Sequence, residues 1–397
     1  MDSAGRWNLS RRTAMQFVVL LGLVSLFGDI TYEGARSITG PYLATLGASG
    51  AVVGITAGLG ELVGYGVRLL SGYISDRTRR YWALTILGYG VNLLAVPALA
   101  LAGRWEVAAG LIIAERLGKA IRTPARDAML SHATKEMGRG WGFGLHEAMD
   151  QIGAVVGPLV VAGVLISRTE HYQTAFASLL IPALLALLTL LAARFLYPHP
   201  ENLEPKTVEL AAHGFPRAFW IYLLAVGLIA LGYADFPLIA FHFRQADTVP
   251  GPWIALIYAL AMGVDALAAL GFGRLFDRLG PSVLVGGALL SMFFAPLVFL
   301  AGSLGAWAGM LLWGIGMGAQ ESVMRAMVAE MTPPDRRGSA YGLFNAGYGL
   351  AWFLGSSLLG ILYDRSLLAL VGVSVLAQGA AVVLLAWLLG RRLQQGG

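Results

Sequence analysis

Long apolar stretches separated by short polar turns fill almost the whole chain. We count twelve stretches, at approximately residues 15–40, 48–71, 81–103, 106–133, 141–166, 172–196, 218–243, 251–273, 282–303, 305–331, 338–362 and 366–390. Each has about 20 residues or more, the length at which an α-helix crosses a hydrocarbon layer of ~30 Å. They lack the alternating ten-residue pattern of an outer-membrane barrel. The pattern therefore predicts an all-α integral membrane protein with twelve transmembrane helices.

Composition supports a chain that lies in lipid. Hydrophobic residues make up 57% of it, charged residues 13%, and the mean hydropathy is +0.68, whereas soluble domains carry ~25% charged residues. The 52 glycines are typical of closely packed membrane helices. Cysteine is absent, which excludes disulfides and thiolate metal sites.

Lys and Arg are distributed unevenly between the loops on the two sides. One side holds only Arg104, Arg168, Arg244 and Arg365, and the remaining loop Lys and Arg lie on the side of the termini. Because basic loops stay in the cytoplasm, we expect both termini to be cytoplasmic and the protein to span the inner (plasma) membrane. No small-residue cleavage site follows the first apolar stretch, so we expect that helix to be retained. The pI near 9.5 then reflects topology, and we expect no nucleic-acid partner.

The chain is divided near its midpoint into two similar halves. Residues 197–217 form the only long polar segment, which predicts a cytoplasmic linker between bundles at 1–196 and 218–397. An offset of 198 residues aligns the segment after Arg139 with that after Arg337, including the pairs Gly144/Gly342 and Gly157/Gly355. A charged turn after the second stretch of each half also repeats. Its residues are Gly72, Asp76, Arg77 and Arg80 in the first copy and Gly273, Asp277 and Arg278 in the second.

These features together resemble the major facilitator superfamily over the whole chain. The first copy matches its signature Gly-x-Leu-x-Asp-Arg-x-Gly-Arg-Arg at Gly72, Asp76, Arg77 and Arg80, with Ile74 for Leu and Arg79 for the second Gly. The second copy has Pro281 where the next Arg would stand. The resemblance implies two pseudo-symmetric six-helix bundles around a central cavity, alternating access, and a monomeric transporter of a small molecule. It implies neither an enzyme nor a cofactor.

The repeated turn has a mechanical interpretation that the resemblance supplies. A carboxylate at the end of a helix can lie against the positive N-terminal end of another helix. By resemblance, Asp76 would lie near Gly338 and Ser339, and Asp277 near Gly140, holding the cytoplasmic side closed while the outside is open. The alternative is that the neighbouring arginines only fix topology.

Charged residues inside membrane helices are costly, so they normally face a cavity or a partner. The first half carries many of them, and we take as candidate substrate or proton residues Asp29, Glu33, Arg36, Glu115, Lys119, Arg122, His146, Glu147 and Asp150. Asp29 and Glu33 are four residues apart and share one helix face. A carboxylate whose proton affinity changes with its surroundings is what proton coupling requires. Mutual neutralisation in a buried ion-pair network is the alternative, above all for Arg68, Arg122 and Arg126.

The second half is less charged and more aromatic. We add Asp235, Gln320 and Asn345 to the candidate cavity residues, because amides among aromatic rings suit an amphipathic organic substrate. Helix 5 carries Gly153, Gly157 and Pro158, the Gly-x-x-x-Gly-Pro pattern of the antiporter branch, which favours export. Arg116 resembles the helix 4 arginine of proton-coupled efflux members, but the Gly expected four residues later is Ala120.

The leading interpretation is a secondary transporter that exports a small organic compound in exchange for protons. A divalent metal exporter, a lysolipid flippase and an organic-anion uptake system stay open as alternatives. No pair of side chains has the spacing of a dedicated metal site, so none is assigned. The chain lacks the Gly-x-Ser-x-Gly, His-Glu-x-x-His and phosphate-binding loop motifs, which disfavours an intramembrane enzyme or a nucleotide-driven pump.

Overall fold

The computed structural model describes residues 11–134, 139–168, 171–198, 215–333 and 336–395. Within these ranges the regular elements are helical. The α-helices are α1 (Arg11–Thr45), α2 (Gly50–Thr78), α3 (Tyr81–Ala98), α4 (Trp105–Thr134), α5 (Arg139–Ser167), α6 (Tyr172–Ser178), α7 (Leu180–Leu196), α8 (Arg217–Gly232), α9 (Phe236–Gln245), α10 (Gly251–Leu279), α11 (Ser282–Ser291), α12 (Phe294–Leu300), α13 (Gly302–Ala319), α14 (Arg325–Met331), α15 (Arg337–Arg365) and α16 (Leu367–Gln395). A 3₁₀ turn (Leu99–Leu101) follows α3, and a π-helical turn (Gln320–Met324) joins α13 to α14.

Every apolar stretch of the sequence corresponds to one or two of these helices, and the all-α membrane fold is confirmed. Ten helical segments of the described chain are long and apolar enough to cross a membrane. The α4 helix and the α13–α14 segment are not among them. Charged residues such as Glu115 and Lys119 interrupt the apolar face of α4, and glycines lower the hydropathy of α13.

Some stretches that the sequence pattern predicts as single helices are interrupted. The clearest case is 218–243, which forms α8 and α9 with residues 233–235 extended between them. Asp235 accepts a hydrogen bond from the Phe236 backbone N–H as the N-cap of α9, and Pro237 stands in its first turn. Proline fits there because the first turn has N–H groups without helical acceptors. The helix is therefore interrupted because an N-cap residue followed by proline starts a new helix within the apolar stretch.

The described chain forms two compact units whose boundaries fall inside α1 and α2. The first unit comprises residues 11–35, 63–134, 139–168 and 171–198, and the second comprises 36–62, 215–333 and 336–395. The sequence division at the linker places residues 36–62 with the first half instead. Most of the predicted linker, residues 199–214, lies outside the described residues, and the division into two six-helix bundles stays a prediction.

Residues 36–62, which we call the 36–62 segment, belong to the second unit because of specific contacts with α15. The carboxylate oxygens of Asp364 accept hydrogen bonds from the backbone N–H groups of Gly50 and Ala51, each at 2.8 Å. A Cβ atom at Gly54 would collide with the carbonyl oxygen of Ser356. Glycine therefore allows the backbones of α2 and α15 to approach closely.

Candidate functional site

A group of charged side chains lies inside the first unit, on α1, α4 and α5. We call it the charge cluster, and its members are Asp29, Glu33, Lys119, Arg122, His146 and Asp150. Asp29 is only 6% exposed and lies within Coulombic range of Lys119, Arg122 and Asp150. The described residues contain no group of three or more His, Asp or Glu side chains that could hold a metal ion. The structure thus brings six of the candidate residues together in one region.

The approach of α5 to α1 brings Asp29 close to α5. A Cβ atom at Gly153 would lie 2.5 Å from the Leu26 carbonyl oxygen and 2.8 Å from the Asp29 Cβ atom. One turn later, a Cβ atom at Gly157 would lie 2.5 Å from the Ile30 carbonyl oxygen. The backbones of the two helices therefore touch along this line, and the carboxylate of Asp29 reaches the face of α5 that carries Asp150.

Aromatic rings contact the two α4 cations of the charge cluster, Lys119 and Arg122. The Lys119 Nζ atom lies 3.9 Å from the ring centroid of Tyr32, and the Arg122 guanidinium carbon lies 4.0 Å from that of Tyr89. Arg122 is 1% exposed, and its Nε and Nη1 atoms have no hydrogen-bond partner among the described residues. Cation–π contacts of this kind stabilise a desolvated charge by about 2 kcal/mol. Each of these two cations therefore has an aromatic ring as a close neighbour.

Two other candidates of the first unit lie apart from the charge cluster. The Oε1 atom of Glu115 accepts a hydrogen bond from the Asn92 amide at 2.7 Å, and its Oε2 atom lies 3.3 Å from the Arg116 Nε atom. Glu115 therefore has local partners of its own. Glu147 is exposed although its neighbour His146 is buried, since consecutive residues point to different sides of a helix.

A second ionic group lies in the second unit. The Arg36 Nη2 atom is 2.7 Å from the Asp235 Oδ1 atom and 3.7 Å from the Glu61 Oε1 atom. The Trp352 indole N–H points at the other Asp235 oxygen at 3.5 Å. Arg36 belongs to the same face of α1 as Asp29 and Glu33 in the sequence pattern, but its partners are these residues of the second unit.

The break between α8 and α9 leaves backbone groups without helical partners, and side chains satisfy them. The Trp313 indole N–H donates to the Ala234 carbonyl at 3.0 Å, and the Ser374 hydroxyl donates to the Gly232 carbonyl at 2.6 Å. A broken helix is tolerated in a membrane only when neighbouring helices provide such bonds. Broken helices of this type occur at binding sites of secondary transporters.

The remaining polar candidates of the second unit lie on the π-helical turn and on α15. Gln320 opens the π-helical turn, and its Oε1 atom accepts a hydrogen bond from the Tyr348 hydroxyl at 3.0 Å. Its Nε2 atom is buried and has no hydrogen-bond partner among the described residues. Asn345 is half-buried on α15. Single π turns often mark functional positions in helices.

The repeated charged turns lie at the ends of α2 and α10. Asp76, Arg77 and Arg80 are exposed, as are Asp277 and Arg278, and Gly72 and Gly273 lie one turn earlier. The expected partners of the two aspartates belong in each case to the other unit, so these contacts stay predictions.

Sequence reasoning missed several neutral side chains that contact the charged candidates of the first unit. Tyr32 and Tyr89 hold the cations, Ser25 contacts His146, and Asn92 binds Glu115. Their spacing in the sequence was informative. Ser25, Asp29 and Tyr32 follow one another at intervals of four and three residues, which places them on one face of the helix. Tyr89 and Asn92 are also three residues apart. Their roles depend on partners from other helices, which spacing alone does not reveal.

Comparison with known proteins agrees with this architecture. The family model described as Major Facilitator Superfamily matches residues 19–356 and 253–395. The chain belongs to the major facilitator superfamily. It is therefore a multi-pass membrane protein of a transporter family, as the sequence resemblance implies.

Individual relatives and structures extend the comparison. An uncharacterised protein of Mycobacterium bovis is 43% identical over 379 residues, covering 94% of this chain and 93% of its own. The multidrug resistance protein MdtH of Aeromonas hydrophila is 26% identical, covering 90% of each chain. The crystal structure of a peptide transporter, POT, in complex with sulfate has a TM-score of 0.77 at 15% identity and covers 96% of this chain and 94% of its own. At that identity the structural likeness concerns the fold alone.

Proposed function

We propose that this superfamily member is a proton-coupled secondary transporter that exports a small organic, amphipathic compound by alternating access. The observation that carries the proposal is Asp29, a buried carboxylate within Coulombic range of two cations and a second carboxylate. Placing a charged group at such a position costs about 2.5 kcal/mol or more. A role in proton coupling explains why the charged group is retained despite this cost.

The charge balance of the cluster favours proton binding. Asp29, Glu33 and Asp150 provide three carboxylates, whereas Lys119 and Arg122 provide two cations. With a neutral His146, the cluster carries one net negative charge when every carboxylate is ionised. Carboxylates that lie this close resist full ionisation, and a single proton restores neutrality. The proton would be bound when the site opens to the outside and released when it opens to the cytoplasm.

The Arg36–Asp235 pair supports a second step of the same cycle. Asp235 stands at the break between α8 and α9, and Arg36 lies on α1 immediately after the first unit ends. A buried pair is strongly destabilised when one partner is lost. Protonation of Asp235, or competition for it by substrate, would therefore release the 36–62 segment from the second unit.

Export of an organic compound is favoured by two observations. Gly153, Gly157 and Pro158 fit the antiporter pattern, and the MdtH relative is named a multidrug resistance protein. The second unit also contains a group of aromatic rings around Trp352, including Tyr348 at 5.4 Å and Tyr233 at 5.9 Å between centroids. Aromatic rings with a few polar groups suit an amphipathic ligand.

We further propose that the protein is a monomer in the inner membrane, with both termini cytoplasmic.

Transport in proteoliposomes that contain a pH-sensitive dye tests this function. The panel includes ethidium as an aromatic cation, organic acids, lysolipids and divalent metals, which also tests the alternative substrates. We expect addition of an amphipathic compound to move protons in the opposite direction. Asp29→Asn should abolish proton-driven accumulation and leave gradient-free exchange partly intact, whereas Glu106→Gln, at an exposed residue, should behave as wild type.

Two outcomes would contradict parts of the proposal. Loss of both accumulation and exchange in Asp29→Asn would assign Asp29 to substrate binding instead of coupling. Substrate movement without any proton movement in the wild-type protein would exclude proton coupling altogether.

A further inference from the structure

His146 lies between a carboxylate and a hydroxyl inside the first unit. Its Nδ1 atom is 3.4 Å from the Asp150 Oδ1 atom, and its Nε2 atom is 3.1 Å from the Ser25 Oγ atom. The imidazole is 3% exposed. Histidine is the side chain whose charge ordinarily changes between pH 5 and 8, and its two nitrogens can accept and donate separately. Both ring nitrogens thus have polar neighbours that respond to the charge of the ring.

Ser25 sits at the centre of a small hydrogen-bond network. Its Oγ atom accepts a hydrogen bond from the Arg126 Nη1 atom at 3.0 Å and lies 3.4 Å from the Tyr89 hydroxyl. Because Arg126 does not lose its proton, it always donates to this oxygen. The serine proton is then left to point either at the His146 Nε2 atom or at the Tyr89 hydroxyl. Ser25 therefore has two hydrogen-bond arrangements, one for each protonation state of the imidazole.

The Asp150 carboxylate provides a place for the second ring proton. Its Oδ1 atom is buried and has no hydrogen-bond partner among the described residues, and the imidazole Nδ1 atom lies at ion-pair distance from it. A buried carboxylate oxygen without a hydrogen bond is costly. A positive charge on the imidazole lowers that cost directly.

We propose that His146 binds a proton during the transport cycle, that Asp150 balances its charge, and that Ser25 changes hydrogen-bond direction with it. In the neutral state, the Ser25 hydroxyl donates to the Nε2 atom and the Nδ1–H faces Asp150. When a proton binds at Nε2, that nitrogen donates to Ser25 Oγ, and the serine hydroxyl turns to Tyr89. No covalent bond other than N–H forms or breaks.

Charges from the packed helices decide whether the protonated ring is stable. Asp150 on α5 favours it, whereas Arg126 on α4, which donates to the same Ser25 oxygen, opposes it. Asp29 on α1 and Arg122 on α4 act through Asp150, with which each interacts electrostatically. Arg126 is largely neutralised, because its Nε and Nη2 atoms bind the Asp127 Oδ1 atom at 2.9 and 2.8 Å. Because these charges lie on different helices, a shift of α4 relative to α5 changes the stability of the protonated ring.

Nitrogen-15 NMR of histidine-labelled protein in lipid nanodiscs tests the inference with the proton alone as the probe. The signals of His146 are assigned by their loss in His146→Gln. We expect imidazolium signals of His146 to appear as the pH is lowered, and to require a lower pH in Asp150→Asn, which removes the balancing charge. A ring that stays neutral down to about pH 5, or a response unchanged by Asp150→Asn, overturns the inference.

Transport measurements add a functional arm with a matched control. His146→Asn keeps an amide group near Asp150, and His146→Gln keeps an amide group near Ser25. Neither of these side chains can bind a proton in place of the imidazole. We expect both variants to reduce substrate-driven proton movement at least tenfold while gradient-free exchange persists. His242→Gln is the control, since His242 is equally buried but contacts the Tyr363 hydroxyl in the second unit.

The inference rests on the proposed proton coupling, and the two can fail separately. If His146 titrates with Asp150 but no compound of the panel moves protons, proton binding at His146 stands and the coupling falls. If the wild-type protein moves protons and both His146 variants move them equally well, the inference falls alone. A role of His146 in packing only would reduce exchange and proton movement to the same degree.

Discussion

Asp364 holds the start of α2 in the second unit, and its removal should free the 36–62 segment. Its two carboxylate oxygens bind the first two backbone N–H groups of α2, at 2.8 Å each. An anion at this position satisfies donors that have no helical acceptor and interacts favourably with the helix dipole. In the alternating-access cycle that we propose, the 36–62 segment would separate from α15 when the protein opens on their side. We therefore expect Asp364→Ala to favour the separated state.

The magnitude follows from the two effects that the substitution removes. Loss of an N-cap acceptor costs about 1 kcal/mol, and loss of the charge at the helix start costs a further 0.3–1 kcal/mol or so. The N–H of Ala51 is solvent-exposed, so water replaces part of the lost bonding. A total of about 1–2 kcal/mol remains, which corresponds to a change of roughly 5–30-fold in the ratio of the two states.

Labelling of a single introduced cysteine measures this ratio, because the natural chain has none. Val53→Cys places a thiol at a fully buried position of α2, next to Gly54, which contacts α15. We expect a membrane-impermeant maleimide to react there when the segment separates. We expect the labelling rate to rise roughly 5–30-fold in Asp364→Ala. Asp247→Asn removes the charge of an exposed loop residue, keeps a side-chain type that tolerates its left-handed φ of 50°, and should leave the rate unchanged.

A second cysteine position distinguishes separation from general unfolding. Ala175 is fully buried in the first unit, and Ala175→Cys should stay unreactive in the Asp364→Ala background. Equal rates at Val53→Cys with and without Asp364 would refute the capping argument. Faster labelling at both positions would show that the substitution merely destabilises the fold.

Two further predictions concern backbone geometry. Arg79 has a left-handed φ of 55° where the superfamily signature has glycine, so Arg79→Gly should relieve ~1–2 kcal/mol of strain, offset by ~0.5–1 kcal/mol of chain entropy. A higher unfolding temperature in detergent would agree, whereas a gain of the same size in Arg80→Gly, at a φ of −85°, would contradict the strain argument. Gly157→Ala should lower stability by about 1–3 kcal/mol because its Cβ atom would lie 2.5 Å from the Ile30 carbonyl oxygen. Gly163→Ala, on the same helix with nothing within 4 Å, is its control, and equal effects of the two would exclude close helix approach as the cause.

The helical architecture could be predicted because hydropathy over twenty residues is a property of the chain alone. Interruptions inside the helices were harder to predict from the sequence. Pro41, Pro124 and Pro158 all lie within helices that continue, so proline by itself does not locate a break. At Pro237 the helix does begin anew, because Asp235 provides an N-cap two residues earlier. The combination of a capping residue and proline was visible in the sequence and is the more reliable signal.

The candidate site could be predicted only in part. Buried charges are rare in membrane helices, so Asp29, Lys119 and Asp150 stood out without a structure. Their partners did not, because cation–π contacts and the contact between Ser25 and His146 join residues from different helices. Arg36 shows the same limit. Helical spacing places it beside Glu33, but its partner is Asp235, which is 199 residues away in the sequence.

The internal repeat explains why the fold could be predicted from the sequence more completely than the function. Gly157 contacts the Ile30 backbone in the first unit, and its counterpart Gly355 contacts the Leu231 backbone in the second, so both copies use the same close helix approach. At the same offset of 198 residues, His146 and Asp150 correspond to Phe344 and Tyr348. The first pair is ionic, whereas the second is a stacked aromatic pair with centroids 5.8 Å apart. The shared glycines therefore maintain the same helix packing in both units. The chemistry of each unit is set by the positions at which the two copies differ. At the positions compared here, the first unit has titratable side chains and the second unit has aromatic rings.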